Sequence, residues 1–210
     1  MSLKNIAVFI SGRGTDLQAI IDYFKQSAVA QVALVFSNKK DAYGLVRAEK
    51  ANIPSFSFAR GDFNTRDEFI KKLKKLLSEH RIDIIALAGY VKKVPPEIIQ
   101  EYRHRIVNIH PALLPFFGGK GFYGMEVHRR VLASGMKLSG VSIHFVNEQY
   151  DKGEIIYQEC VPVLFDDTPE TLQARVLERE HYLYPRIIEK LAMGKISVIN
   201  NKVRIDERID

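Results

Sequence analysis

Ile6-Ala7-Val8-Phe9-Ile10-Ser11-Gly12-Arg13-Gly14-Thr15-Asp16-Leu17-Gln18 is the stretch that decides the fold. Its first five residues form an unbroken apolar run, the pattern of a strand buried on both faces. From Leu17 the period changes. Leu17, Ile20, Ile21 and Phe24 recur at three- and four-residue spacing, which predicts an amphipathic helix. The turn between them holds two glycines, which let a backbone approach a ligand, and the helix start offers unpaired N–H groups with a partial positive charge. Thr15 with Gln18 fits a capping box and predicts Thr15 as the cap. Leu17 stands where the third glycine of a dinucleotide fingerprint belongs, so the turn points away from NAD. Two readings of it stay open: a phosphate cradle and a plain tight turn.

The same alternation continues outward. Val32–Phe36 repeats the strand signal, a helix is expected over about 42–51, and Ser55–Phe58 is a weaker strand. Phe69, Leu73 and Leu76-Leu77 mark a helix ahead of Ile82–Leu87, Pro95-Pro96 opens a short one, and Ile106–Ile109 is another strand. Strands separated by helices predict an α/β fold with a doubly wound, mostly parallel sheet. The second half differs. Val141–Phe145 alternates as a strand with two different faces, and Ile155–Val163 is long enough to pair with it as an antiparallel extension. Thr168-Pro169 then opens a long C-terminal helix carrying Leu172, Val176, Leu183, Ile187 and Leu191, with Pro185 expected to kink it. Ile196–Ile199 and Val203–Ile205, split by Asn200-Asn201, read as a hairpin.

The chain has 210 residues, 46% hydrophobic and 27% charged, without repeats or a linker, so one domain over 1–210 is expected. No stretch approaches the roughly 18 apolar residues of a membrane helix, and no export signal opens the chain. A cytoplasmic protein without membrane partners is expected. The formal charge of +6 comes from scattered basic residues with no nucleic-acid motif among them. A small anionic substrate suits that charge as well as nucleic acid does. Cys160 is the only cysteine, which excludes an internal disulfide and supplies no metal framework. Lying within an apolar run, it is expected to be a small buried hydrophobe.

Asn108 and His110 stand two residues apart on a short strand that Pro111 ends, so they share a face at a strand's carboxyl end. Doubly wound folds place their ligands there. Two polar side chains on a buried strand are costly to desolvate without partners. A satisfied core histidine and a site residue are both open readings of His110. Asp151, in the loop Asn147–Gly153, reads alone as a solvated turn residue. Folded back onto His110 it completes an acyl-transfer set: an amide to hold an oxyanion, an imidazole to exchange protons, and a carboxylate that favours the charged imidazole.

Longer motifs carry a resemblance: Ile10-Ser11-Gly12-Arg13-Gly14-Thr15, Leu34-Val35-Phe36-Ser37-Asn38-Lys39, Leu87-Ala88-Gly89-Tyr90, Asn108-Ile109-His110-Pro111-Ala112-Leu113-Leu114-Pro115, Tyr150-Asp151-Lys152-Gly153 and Glu180-His181-Tyr182-Leu183-Tyr184-Pro185. Together they resemble the folate-dependent formyltransferase family, most closely its phosphoribosylglycinamide formyltransferase branch in purine synthesis. The resemblance implies a Rossmann-like formyltransferase fold, with about 1–107 as a phosphate-binding half and about 108–210 as a catalytic and folate-facing half. It implies 10-formyltetrahydrofolate as co-substrate, no metal, and small-molecule partners. Asn108, His110 and Asp151 match the family's catalytic residues, with the aspartate raising the histidine's pKa. Gly14, Thr15 and Asp16 match the segment that binds the ribonucleotide's phosphate, and Glu180 a glutamate at the glycinamide end. Read alone, Glu180 belongs to a solvated helix face. Arg66, Val91, Lys92, Lys93, Val94 and Asn108 match positions around the folate, and His144 a supporting histidine.

Two departures stand out. The family usually has Asn where this chain has Asp16, and a carboxylate beside a phosphate is unfavourable. The segment from Phe116 to Gly124 is long and glycine-rich, and Phe117–Gly124 within it is expected to act as a lid over the site, with an uninvolved surface loop as the other reading. Methionyl-tRNA formyltransferases add an RNA-binding domain and formyltetrahydrofolate hydrolases a regulatory one, and neither is expected here. Another folate formyltransferase, acting on a sugar nucleotide or on methionyl-tRNA, and a non-catalytic nucleotide-binding module remain as alternatives.

Overall fold

The computed structural model describes residues 3–206; Met1, Ser2 and 207–210 of the expected 1–210 domain lie outside the described residues. In chain order the elements are β1 (Lys4–Ile10), α1 (Thr15–Phe24), β2 (Ala30–Ser37), α2 (Tyr43–Lys50), β3 (Ser55–Ser57), α3 (Arg66–Glu79), β4 (Ile84–Leu87) and α4 (Pro96–Glu101). They continue as β5 (Ile106–His110), α5 (Met125–Ala133), β6 (Leu138–Phe145), β7 (Ile155–Pro162), α6 (Pro169–Ala192), β8 (Ile196–Ile199) and β9 (Lys202–Ile205).

The main sheet runs in the order β3-β2-β1-β4-β5-β6-β7. β3, β2, β1, β4 and β5 are parallel, and β6 and β7 extend the sheet antiparallel. The unbroken apolar run in β1 has its reason in two separate cores. Ile6, Val8 and Ile10 pack on the face that α1 and α6 cover, while Ala7 and Phe9 pack with α3 and α4 on the other. Fully burying each large side chain contributes about 1.5–3 kcal/mol, so a strand used on both faces has no position to spare for a polar residue. The four apolar positions expected on the first helix, Leu17, Ile20, Ile21 and Phe24, are all buried.

The order reverses beside β1, because the chain leaves it for β2 and later returns on the other side as β4. Such a reversal opens a crevice at the carboxyl ends of the strands. Ser11, Gly89 and His110 stand at the ends of β1, β4 and β5 around it.

Several local expectations are corrected. Thr15 does not cap α1: the cap is Gly14 in the left-handed region at φ 70, with no side-chain cap bond. Gly14 is required there twice over, since a Cβ on it would also lie 2.8 Å from the Gly44 backbone. Cys160 is exposed, because β7 is the edge strand and its alternate residues face water. β6 has two different faces as expected, but its polar face is buried too, with Ser142 at 0% and His144 at 2% exposure. α6 starts at its Thr168 cap and runs through Pro185 to Ala192. α5 has no counterpart in the sequence reading. The hairpin β8–β9 turns at Asn200 and Asn201, both at positive φ (49 and 60), which asparagine tolerates.

Candidate active site

A cavity of about 510 Å³ fills the crevice. Its wall collects residues from distant parts of the chain: Thr15 and Asp16 on α1, Gly89–Lys92 after β4, Asn108 and His110 on β5, Gly119–Gly124, His128 on α5, Asp151, and Gln173, Leu177 and Glu180 on α6. A smaller recess next to it is lined by Lys93, Val94 and His144, and shares Tyr90, Lys92, Asn108, Tyr150 and Asp151 with the main cavity. Of the residues singled out from the sequence, all but two have a place in these walls. Gly14 lies directly behind Thr15 as the helix cap. Arg66 also lines neither space; its guanidinium forks onto Glu97 of α4 at 2.6 and 2.8 Å.

Asn108 is placed by sheet register, directly opposite His144 on β6. His144 Nδ1 lies 2.7 Å from the Phe145 carbonyl, which only accepts, so that nitrogen carries the proton. Its Nε2 is left to accept from Asn108 Nδ2 at 3.0 Å, and this fixes which end of the amide faces the ring. The amide's second N–H points toward Asp151 Oδ1 at a long 3.4 Å.

Asp151 reaches β5 because its loop doubles back tightly. The residue itself is at φ 53, a conformation Asp tolerates. Two residues on, a Cβ at Gly153 would sit 1.8 Å from the Phe145 carbonyl oxygen, so only glycine lets the loop lie against β6. Asp151 Oδ2 accepts the Gly119 amide at 2.8 Å and stands 3.8 Å from His110 Nδ1, while Oδ1 is 3.5 Å from His144 Nε2. Burial pushes the Asp151 carboxyl up, but the neighbouring His144, the charge of His110 and the Gly119 amide together hold it below the usual range.

His110 is 4% exposed, and its Nε2 donates to the Phe117 carbonyl at 2.8 Å. Burial lowers its pKa below the ordinary 6.5; Asp151 and the Phe117 carbonyl act upward and His144 downward. The expectation that Asp151 raises this histidine is thus met in direction, yet desolvation outweighs it. The turn after His110 is held by Ser142, whose hydroxyl donates to the Ala112 carbonyl at 2.6 Å and accepts the Leu114 amide at 2.9 Å. The glycine turn at α1 is tied to the β4 end in a similar way, through the Val91 amide donating to Ser11 Oγ at 3.0 Å.

The opposite end of the cavity is acidic. Glu180 is 7% exposed, not part of a solvated face. Burial, and then the nearby Asp16, push its carboxyl well above the usual range, and burial pushes Asp16 up to about 6. The sequence reading also missed His128, which is 2% exposed and has a buried Nδ1 with no hydrogen-bond partner. Burial, with His110 adding to it, lowers its pKa to about 4. The available signal was Val127 and Val131, four apart, bracketing a histidine after the glycine-rich segment.

Among the described residues no cluster of three or more His, Cys, Asp or Glu is arranged to hold a metal ion, and no helix is long and apolar enough to cross a membrane.

The class follows from the match of this fold and site to the formyl transferase domain family, which covers residues 4–188. Relatives narrow it. A chloroplastic phosphoribosylglycinamide formyltransferase of Arabidopsis thaliana is 41% identical over 97% of this chain and 73% of that protein. The phosphoribosylglycinamide formyltransferase of Haemophilus influenzae is 39% identical over 97% of this chain and 94% of that protein. The crystal structure of glycinamide ribonucleotide transformylase 1 from Symbiobacterium toebii superposes with a TM-score of 0.90 at 38% identity, covering 98% of this chain and 95% of that one. The chain belongs to the formyl transferase family, in its phosphoribosylglycinamide formyltransferase branch, the purine-biosynthesis enzymes.

Proposed function

We propose that this enzyme moves the formyl group of 10-formyltetrahydrofolate to the amine of N1-(5-phosphoribosyl)glycinamide, in the cytoplasm, with Asn108, His110 and Asp151 as its catalytic residues. One observation carries the reading: these three side chains and His144 form a single cluster, with Asn108 hydrogen-bonded to His144 and Asp151 and with His110 3.8 Å from Asp151, opening on a cavity whose other end is the α1 N-terminus. Thr15 and the uncapped α1 amides receive the phosphate. The recess beside Val91–Val94 and His144 receives the folate ring, with Lys92 and Lys93 toward its anionic tail. Arg66, engaged by Glu97, reaches that tail only by leaving its partner. The two halves of the chain, about 1–107 and about 108–210, then divide the work, phosphate on one side and catalysis on the other.

The amine nitrogen attacks the formyl carbon, and the carbonyl oxygen becomes an oxyanion. One N–H of Asn108 is held by His144, and the other, a long 3.4 Å from Asp151, turns to donate to the oxyanion. Collapse breaks the bond from carbon to N10 of the folate, so a proton must leave the amine and another must reach N10. His110 Nε2 is committed to the Phe117 carbonyl, which directs proton exchange through Nδ1, beside Asp151. Asp151, held ionised, stabilises the imidazolium as it forms. Segment 119–124 covers the cavity and keeps out water that competes for the formyl group.

A formyl-transfer assay with the ribonucleotide and 10-formyltetrahydrofolate tests this. The expected result is stoichiometric tetrahydrofolate and N-formyl product. Turnover with methionyl-tRNA or a sugar nucleotide but not with this acceptor overturns the substrate, and nucleotide binding without folate binding overturns the enzyme reading.

A further inference from the structure

Asp16 and Glu180 pose a charge problem that the catalytic cluster does not use. Asp16, in the first turn of α1, has a side chain 14% exposed; Glu180, on α6, is 7% exposed; both line the cavity beside Thr15. Asp16 Oδ1 is buried without a hydrogen-bond partner, and among the described residues Glu180 makes no hydrogen bond or ion pair.

The titratable and charged groups facing Asp16 come from α6 and α2. His181 Nε2 is 3.6 Å from Asp16 Oδ1 and is likewise without a hydrogen bond. Burial, and then Arg47, lower its pKa, so His181 is neutral at neutral pH. Arg47 itself is spent on the Arg13 carbonyl at 2.9 Å and Gln18 Oε1 at 3.1 Å. The Tyr184 hydroxyl is taken up by the carbonyls of Leu87 and Val107, at 2.9 Å each. Lys92 and Lys120 line the same cavity without pairing to either acid. Among the described residues no cation compensates the two carboxyls where they are buried, and neighbouring buried carboxyls do not both ionise.

We propose that Asp16 and Glu180 carry one proton between them in the free protein, that Asp16 takes up a second from solvent when an anionic sugar phosphate is seated at the α1 N-terminus, leaving both carboxyls neutral, and that substrate and proton therefore bind together. A protonated aspartate has the shape of asparagine, with one oxygen accepting and an O–H donating. In this form Asp16 stands beside a phosphate that its ionised form repels. Burial has already brought Asp16 up to about 6 in the free protein. The added repulsion of a phosphate carries it further, and the proton comes from solvent. Asp16 is therefore a specificity-determining residue that discriminates by protonation where an asparagine discriminates by shape. The identity of the sugar phosphate rests on the function proposed above; the shared proton does not.

Isothermal titration calorimetry near pH 7.5, in two buffers of different ionisation enthalpy, tests the inference with two probes, phosphoribosylglycinamide and ribose 5-phosphate. The expected result is an uptake of about half a proton or more with each, and none with Asp16→Asn. Wild-type affinity should weaken about three- to tenfold per pH unit above neutrality, in step with the uptake, and that of Asp16→Asn should stay flat. Equal heats in both buffers, or the same uptake in Asp16→Asn, overturn the proposal. So does proton release, which marks the carboxyls as a cation site for the amine. Ribose 5-phosphate binding with uptake while phosphoribosylglycinamide does not bind sinks the function and leaves the shared proton standing. If neither binds, both fall.

Discussion

One cavity holds two buried acid sites that behave in opposite ways. At the β5 end Asp151 accepts the Gly119 amide at 2.8 Å, has the Asn108 amide at 3.4 Å and the rings of His144 and His110 beside it, and its carboxyl is held below the usual range. At the α1 end Asp16 and Glu180 have burial without donors, and both are pushed up. Side-chain exposure is alike, 12% for Asp151 and 14% for Asp16, so exposure alone does not decide the charge. The supply of N–H groups does. The donor-rich end is equipped to stabilise charge that appears during a reaction, and the donor-poor end to wait for a ligand or a proton.

The largest expected effect is at the donor-rich end. Asp151→Asn should lower kcat by about 10²–10⁴, because proton exchange through His110 loses its counter-ion. The same change should move the His110 pKa further down, since Asp151 is what pushes it up. An NMR titration showing that pKa unchanged or raised breaks the assignment of Asp151 as the partner. Asn108→Ala should cost about 10²–10³ in kcat with KM nearly unchanged, because the oxyanion exists only near the transition state. Steady-state kinetics with a raised KM and an intact kcat would move Asn108 from catalysis to binding.

At the donor-poor end the readout is stability. Asp16 has a raised carboxyl pKa, so the folded state binds its proton more tightly than the unfolded chain and loses stability as pH rises from 3.8 to about 6. Asp16→Asn should therefore stabilise by about 1–3 kcal/mol at pH 8 and not at all near pH 4. Urea midpoints showing the same gain at both pH values would mean that the benefit is not electrostatic. The smallest effect concerns His128, a buried polar group with neither donor nor acceptor at Nδ1. His128→Leu should raise stability by about 1 kcal/mol. A loss in thermal unfolding would show that a partner, such as a bound water, satisfies that nitrogen.

Where the sequence was legible, the reason was local. The period change at Leu17 and the buried β1 run depend on neighbours within a few residues, and Asn108 with His110 stood out because polar groups on a buried strand need a reason. What escaped it was tertiary. An apolar run says nothing about which strand lies at the sheet's edge, so Cys160 was placed inside when it is outside. Thr15 looked like a cap until the close approach of Gly44 put Gly14 there instead. Glu180 sits among polar neighbours on a long helix, and only the packing of α6 on α1 buries it. α5 follows a glycine-rich segment with only Val127, His128 and Val131 buried, too short a stripe to declare a helix.

The segment between β5 and α5 holds the reacting side chains through its main chain: the Phe117 carbonyl takes His110, and the Gly119 amide takes Asp151. Atoms that every amino acid but proline possesses make these bonds, so outside Gly118 and Gly119, where a side chain would clash or strain the backbone, the requirement is one of spacing more than of residue identity. A scan replacing Phe117, Lys120, Phe122 and Tyr123 one by one would report a tolerant stretch, and relatives are free to diverge there in composition. Removing a single residue between Phe117 and Gly119 would shift one hydrogen bond out of step with the other. In this part of the enzyme the heritable information is a length.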